Sequence, residues 1–231
     1  MSKDLKATLQ QSRLAELGLM TATLTHELRQ PLFAIRSLAQ LAIANNGNDP
    51  RGHLESLVEQ TMALERIVEA VGAYSRDDTG VMIPVDPNLP PQGCVELVGH
   101  KAKQKGVEIE IRLDEGAPLA SGDPTAILQI LVNLLQNAVD ASSYGQCVTL
   151  RSGVVDGDVV FEVQDEGPGV PTSVRDQIFE PFFTTKGPKE GTGLGLYLAR
   201  KLALRCRGDL ELLPSKCGAH FRLSLSPWMG G

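Results

Sequence analysis

The sequence predicts an α+β protein in two parts: an N-terminal antiparallel helical hairpin that completes a dimeric four-helix bundle, then an α/β sandwich. Three observations predict it. Leu14, Leu17, Thr21, Leu24, Leu28, Pro31, Ile35, Leu38 and Ala42 recur in steps of three and four, the a/d rhythm of a helical seam. Asp77-Asp-Thr-Gly80 then breaks that rhythm. Beyond it, Val107-Glu-Ile-Glu-Ile-Arg-Leu113 alternates with period two, as a half-buried strand does.

Each element can be justified in order. From Leu5 to Ala44 the chain has one interior glycine, Gly18, and one proline, Pro31. That permits a helix of about 40 residues, roughly 60 Å long at 1.5 Å per residue. Asn45-Asn-Gly-Asn-Asp-Pro50 is dense in turn formers and should end it. A second seam runs through Leu54, Leu57, Thr61, Leu64, Val68 and Val71. Two helices cannot enclose both their seams, so two hairpins should pair. The hairpin is expected over residues 1–78, a linker over 79–83 and the second domain over 84–231. In that second domain Cys94–Lys105 reads as a helix. Asp123–Ala141 reads as another, with Ser121-Gly-Asp-Pro124 supplying a cap and a first-turn proline. Val148–Ser152 and Val159–Gln164 should be strands joined through Asp156-Gly157. Leu194–Cys206 should be helical, and Leu210–Leu213 and His220–Leu225 closing strands.

Composition narrows the function. At 231 residues and 42% hydrophobic the chain can bury a core. A formal net charge of −6 argues against a nucleic-acid face. No apolar run approaches the roughly 20 residues that span a bilayer, and Met1-Ser-Lys-Asp-Leu-Lys has no apolar stretch of signal-peptide type. A cytoplasmic chain is expected, or the cytoplasmic portion of a longer one. Cys94, Cys147, Cys206 and Cys217 show no metal-binding spacing and should be buried reduced thiols.

The chemistry is carried by a few motifs. If Leu14 is heptad position a, His26 falls at f, facing away from the seam. Glu27 beside it can bond one ring nitrogen and take up its proton while the other nitrogen attacks. Asn133 and Asn137, four apart on one helix, offer amide oxygens to a hard cation such as Mg²⁺. Asp165 ends a strand, where it can accept a hydrogen bond from an exocyclic amine such as adenine's. Gly167 and Gly169 let the backbone approach the base. Gly191-Thr192-Gly193-Leu194-Gly195 opens onto a helix whose N-terminus favours phosphate, without the spacing of a Walker loop. Between them, Phe179-Glu-Pro-Phe-Phe183 leads into a polar flap carrying Lys186 and Lys189, charges that can serve a triphosphate.

Taken together, the motifs resemble those of the sensor histidine kinases of two-component signalling, from about Leu5 to Leu225. His26-Glu-Leu-Arg-Gln-Pro31 is similar to the H box, Asn133-Leu-Leu-Gln-Asn137-Ala-Val-Asp-Ala to the N box and Asp165-Glu-Gly-Pro-Gly169 to the G1 box. Phe179-Glu-Pro-Phe-Phe183 resembles the F box and Gly191-Thr-Gly-Leu-Gly195-Leu the G2 box. The short Thr-Thr-Lys flap resembles the nitrogen-regulatory and oxygen-sensing branch. The resemblance implies a dimerisation and phosphotransfer hairpin followed by a Bergerat-type ATP-binding sandwich, with ATP and Mg²⁺ as cofactors. It implies that His26 is the nucleophile and Glu27 the general base, and that the phosphoryl group passes to an aspartate of a response regulator receiver domain. It further implies that Asn137, with Asn133, holds Mg²⁺ and that Asp165, Gly167 and Gly169 attend the adenosine. Lys186 and Gly191, Thr192, Gly193, Leu194 and Gly195 would attend the phosphates. Two positions depart from the pattern. Gln30 stands where phosphatase-competent relatives carry Asn or Thr, which tells against reverse phosphatase activity but not against kinase activity. Tyr197 stands where a serine is frequent, which implies a local packing change. Other ATPases of the superfamily, or a non-catalytic dimeric scaffold, are the alternative readings; the former would not need His26-Glu27, and the latter would not need every catalytic residue kept.

Overall fold

The computed structural model describes residues 82–186 and 193–230. In the N-terminal part it describes 25, 28, 29, 31–43, 52–54, 56–58, 60, 61, 64 and 68. By contact the chain divides into two compact units, Met1–Arg76 and Asp77–Gly231. His26, Glu27, Gln30, Lys189, Gly191 and Thr192 lie outside the described residues, as do residues 1–24 and the turn expected at Asn45–Pro50.

In the first unit, the described residues from 25 to 43 are helical (α1), and so are those from 52 to 68 (α2). The expected seam is visible in their exposure. Pro31 is buried, and Leu28, Ile35, Leu38 and Ala42 are partly covered, while Thr25, Arg29, Arg36 and Gln40 stand in water. On α2 the seam is only half covered: Leu57 and Leu64 are partly shielded, but Leu54 and Val68 are 59% and 58% exposed and Thr61 is exposed too.

The second unit is a five-stranded sheet with three helices. Its elements in order are β1 (Ile83–Val85), α3 (Leu89–Lys105), β2 (Glu108–Arg112), β3 (Ala120–Gly122) and α4 (Pro124–Ala141). β4 (Cys147–Val155), β5 (Asp158–Asp165), a 3₁₀ turn (Thr172–Val174), α5 (Gly195–Arg205), β6 (Asp209–Leu213) and β7 (His220–Leu225) follow. The sheet order is β2-β4-β5-β7-β6, and β1 pairs with β3 in a separate two-stranded piece. All neighbours are antiparallel except β2 and β4, whose parallel pairing needs the long crossover that α4 supplies.

Local chemistry explains the boundaries. Asp123 caps α4, its Oδ1 accepting from Thr125 N at 3.0 Å and Ala126 N at 3.3 Å. Asp156 and Gly157 have φ of 52° and 92°, the two left-handed residues of a tight hairpin turn between β4 and β5. The expected start of α3 is corrected: the helix begins at Leu89 rather than Cys94, with Pro90 and Pro91 in its first turn, where a missing N–H costs nothing. α4 is the centre of the core, with Ile127, Ile130, Leu131, Leu134 and Leu135 almost wholly buried, and it packs on α3, α5 and β5. Among the described residues no helix is long and apolar enough to cross a membrane.

On the sheet face carrying the even-numbered residues of β5, Glu162 is 3% exposed yet holds three basic groups. Arg151 Nε lies 2.6 Å, Arg222 Nε 2.7 Å and His220 Nε2 3.2 Å from its carboxylate. Burial alone would raise its pKa, but the cations around it outweigh that and hold it below the ordinary carboxylate value. The cysteines are all free. Cys94 and Cys206 are buried as expected, and burial pushes the Cys94 thiol up to about 12. Cys147 is only partly covered and Cys217 is exposed, correcting the expectation for those two.

Candidate active site

The site is built around the last two turns of α4 and the end of β5. Asp165 is the last residue of β5, in line with Val159, Phe161 and Val163 at period two, so its side chain follows theirs into the interior. It is 4% exposed. Both hydrogen bonds it accepts go to Oδ1, from Gly167 N at 2.9 Å and Ala219 N at 3.1 Å. Burial raises its pKa, and those two backbone donors counter only part of the effect. The second carboxylate oxygen is left to meet a donor from outside.

The glycines beside it are set by close approach. A Cβ on Gly167 would stand 2.8 Å from the Ala141 carbonyl at the end of α4, and one on Gly169 (φ 73°) 2.8 Å from the Gly218 carbonyl. Gly218 in turn has no room for a side chain, because a Cβ there would collide with the Asp165 backbone. Gln146 fixes the turn, its Nε2 donating to the Glu166 carbonyl at 2.6 Å and its Oε1 accepting from Ser143 N at 2.6 Å. Gln146, Gly218 and the Ala219 N–H were not foreseen. A backbone donor and a glycine some fifty residues away carry no spacing signal, and only the Lys216-Cys-Gly218 turn composition hinted at a bend.

Asn133 lies on the buried side of α4, 6% exposed, and its Nδ2 has no hydrogen-bond partner among the described residues. A buried amide left unmet costs about 1–3 kcal/mol, so a ligand that meets it recovers that energy. Asn137, one turn on, is half-buried, and its Nδ2 lies 3.9 Å from the position a Cβ on Gly195 would take. The structure therefore brings Asn137 against the start of α5. Leu194, the residue before that helix, offers no side-chain cap, which leaves the helix terminus suited to an anion. Gly193 (φ 65°) cannot carry a side chain, because its Cβ would collide with the Phe182 backbone. Phe182 itself has φ 65°, an unusual conformation for a bulky residue. Phe179 of the same run is held edge-on by Phe221 at 6.3 Å and lies under Arg200 at 4.8 Å.

Lys186 is not a loose cation. Its Nζ lies 2.8 Å from Asp140 Oδ2, on α4. Tyr197 is buried, with Lys201 Nζ 5.6 Å from its ring. Of the expected site residues, Asn133, Asn137, Asp165, Gly167, Gly169, Lys186, Gly193, Leu194 and Gly195 are described, and all belong to the second unit.

Two family models match in order along the chain. Residues 16–80 match the His Kinase A (phospho-acceptor) domain, and residues 122–228 match the histidine kinase-, DNA gyrase B- and HSP90-like ATPase. The chain belongs to the two-component histidine kinases. This histidine kinase core is 30% identical over 229 residues to the two-component sensor PprA of Pseudomonas aeruginosa, covering 94% of this chain and 25% of that protein. Full-length ShkA, solved in complex with AMPPNP, superposes with a TM-score of 0.69 at 26% identity, covering 91% of this chain and 46% of that one. The fold is also that of ThkA, solved in complex with the response regulator TrrA, with a TM-score of 0.73 at 24% identity over 98% of this chain and 66% of that one. The kinase core spans 25–38% of the length of the first curated relatives it matches.

Proposed function

We propose that this kinase core uses Mg-ATP to phosphorylate His26 and then passes the phosphoryl group to an aspartate of a response regulator receiver domain. One observation carries the nucleotide half of the reading: a buried carboxylate, Asp165, with both its backbone donors on one oxygen. The free oxygen is suited to adenine's exocyclic amine. The residues fit the rest of Mg-ATP. Asn133 has an amide N–H₂ with no partner among the described residues, which suits a phosphate oxygen, Asn137 shares its helix face, and the α5 N-terminus faces Asn137. In this reading Asn137 and Asn133 hold Mg²⁺, which neutralises phosphate charge when bound. Lys186 and the Gly191-Thr192-Gly193-Leu194-Gly195 turn hold the phosphates, while Gly167 and Gly169 make room for the adenosine.

The acceptor half assigns His26 as nucleophile and Glu27 as general base. A ring nitrogen of His26 attacks the γ-phosphorus, the bond to the β–γ bridging oxygen breaks, and ADP leaves. Glu27 takes the proton from the other nitrogen. Residues 1–78 form the dimerising and phosphotransferring part and residues 84–231 the ATP-binding part. The homodimer is supported by Leu54, Thr61 and Val68, exposed at seven-residue spacing along α2 in the single chain. The names of relatives such as PprA, a two-component sensor, support the regulator as partner. Gln30 remains the reason to expect little phosphatase activity.

The test is phosphotransfer. The labelled kinase is mixed with purified receiver domains from the same source. The reading expects label to leave the kinase within minutes and appear on at least one receiver, in a form released by alkali. If no receiver takes label from a fully phosphorylated kinase, the regulator assignment fails.

A further inference from the structure

The polar face of α4 does not end at Asn137. Asn133, Asn137 and Asp140 are spaced i, i+4, i+7 and so share one side of the helix. The Asp140 carboxylate receives an ammonium group on each oxygen. Lys101 of α3 meets Oδ1 at 2.6 Å, and Lys186 meets Oδ2 at 2.8 Å. Burial would raise the Asp140 pKa, but the hydrogen bonds from Lys101 and Lys186 outweigh it and hold the carboxyl below its ordinary value. Asp140 is therefore ionised, and with Lys105 Nζ also 2.5 Å from its backbone carbonyl, three ammonium groups gather around one carboxylate and leave a positive excess beside the Asn133–Asn137 face.

The two lysines are held differently. Lys101 belongs to a helix packed along α4, and its neighbour Lys105 donates to the Val139 carbonyl at 2.9 Å, which fixes α3 against the end of α4. Lys186 stands outside any helix, three residues past Phe183, and its side chain is 31% exposed. Among the described residues, its chain is otherwise fixed by one local bond, Lys186 N to Thr184 Oγ1 at 3.1 Å. An ion pair this wet is weakly held and readily exchanged for a stronger anion. A triphosphate is such an anion.

We propose that Asp140 is a reserve partner for Lys186: it holds the flap lysine at the asparagine face of α4 and gives it up to the phosphates when nucleotide arrives. The proposal rests on the nucleotide reading above. Asp140 is thus a positioning residue that opposes binding slightly, because its pair with Lys186 must break each time a nucleotide enters. Lys101 stays behind and keeps the carboxylate compensated.

The test is calorimetric titration of the full chain, Asp140→Asn, Lys186→Gln and the double variant, each with Mg-ATP and with adenosine. Asp140→Asn is expected to tighten Mg-ATP about three- to fivefold, the scale of a partly exposed ion pair, and to leave adenosine unchanged. Lys186→Gln should weaken Mg-ATP, and in that background Asp140→Asn should have no further effect. Four results overturn the proposal: unchanged or weakened Mg-ATP binding by Asp140→Asn; equal tightening in the Lys186→Gln background, which marks a plain charge effect; an equal shift for adenosine, which marks a structural one; or a wild-type chain that binds neither ligand. Only the last also removes the nucleotide reading, so the two failures are told apart.

Discussion

The helical hairpin and the ATP-binding unit use burial in opposite ways. In the hairpin, Leu54, Thr61 and Val68 are exposed along the α2 seam of a single chain. In the second unit, the apolar side of α4 is almost wholly enclosed by the unit's own sheet and helices, and it is the polar groups Asn133 and Asp165 that are drawn inside. In the proposed reading a second copy covers these exposed positions, and the phosphoryl acceptor is assigned to this unit. The second unit finishes its own core and buries two polar groups, an Asn133 amide nitrogen with no partner among the described residues and an Asp165 carboxylate whose two backbone donors share one oxygen. The difference teaches where each half is vulnerable: one through assembly, the other through desolvated charge.

The sharpest way to break the comparison is to charge the open seam. Leu54→Glu with Val68→Glu should abolish the dimer in analytical ultracentrifugation while leaving Mg-ATP affinity unchanged; a dimer that survives would mean the seam is not the interface. Next in size is Glu162→Ala, which strands Arg151 and Arg222 around an empty site and should cost about 2–4 kcal/mol of unfolding free energy in denaturant. The hairpin's association should not change. The Glu162 pKa is held below its unfolded value, so its stabilisation is present above the ordinary carboxylate range. It is lost as pH falls through the lowered value.

Asp165→Asn comes third and separates function from stability. Mg-ATP affinity should drop roughly 10- to 100-fold, the loss of a charged hydrogen bond, and calorimetry at unchanged affinity would refute the adenine contact. The free protein should be no less stable at neutral pH. Burial raises the Asp165 pKa, so the folded chain holds that proton to a higher pH than the unfolded chain does. Stability therefore falls as pH rises from the ordinary carboxylate value to the raised one, and the Asn variant should lose that slope. Nucleotide binding should weaken in the opposite direction, as pH drops through the raised value. Smallest is Asp123→Ala, which removes the α4 cap and the 3.0 Å pair with Arg205 and should cost about 1–2 kcal/mol by thermal unfolding.

What was legible in the sequence follows the range of the interactions involved. The Asp156-Gly157 turn, the Asp123 cap and Asp165 at the end of a strand were readable because their causes lie within a few residues. The α3 start was misplaced: Pro90 and Pro91 occupy its first turn, where prolines extend a helix towards its N-terminus. β1 and β3, three residues each, are too short for any periodicity to show. The site was legible in its residue types but not in its wiring. Lys186 was read as a charge for phosphate, and nothing in a one-dimensional pattern could pair it with Asp140, 46 residues away. Nor could it place the Ala219 N–H on Asp165, 54 residues off.

The central claim, that the enclosed half supplies phosphate to a histidine on the open half, is tested most directly by the chemistry of the labelled product. Incubated with Mg-ATP labelled at the γ-phosphate, the chain should acquire one acid-labile, alkali-stable phosphate per protomer, and His26→Gln should acquire none while binding Mg-ATP as before. An acid-stable label, or a label that persists in His26→Gln, would contradict it.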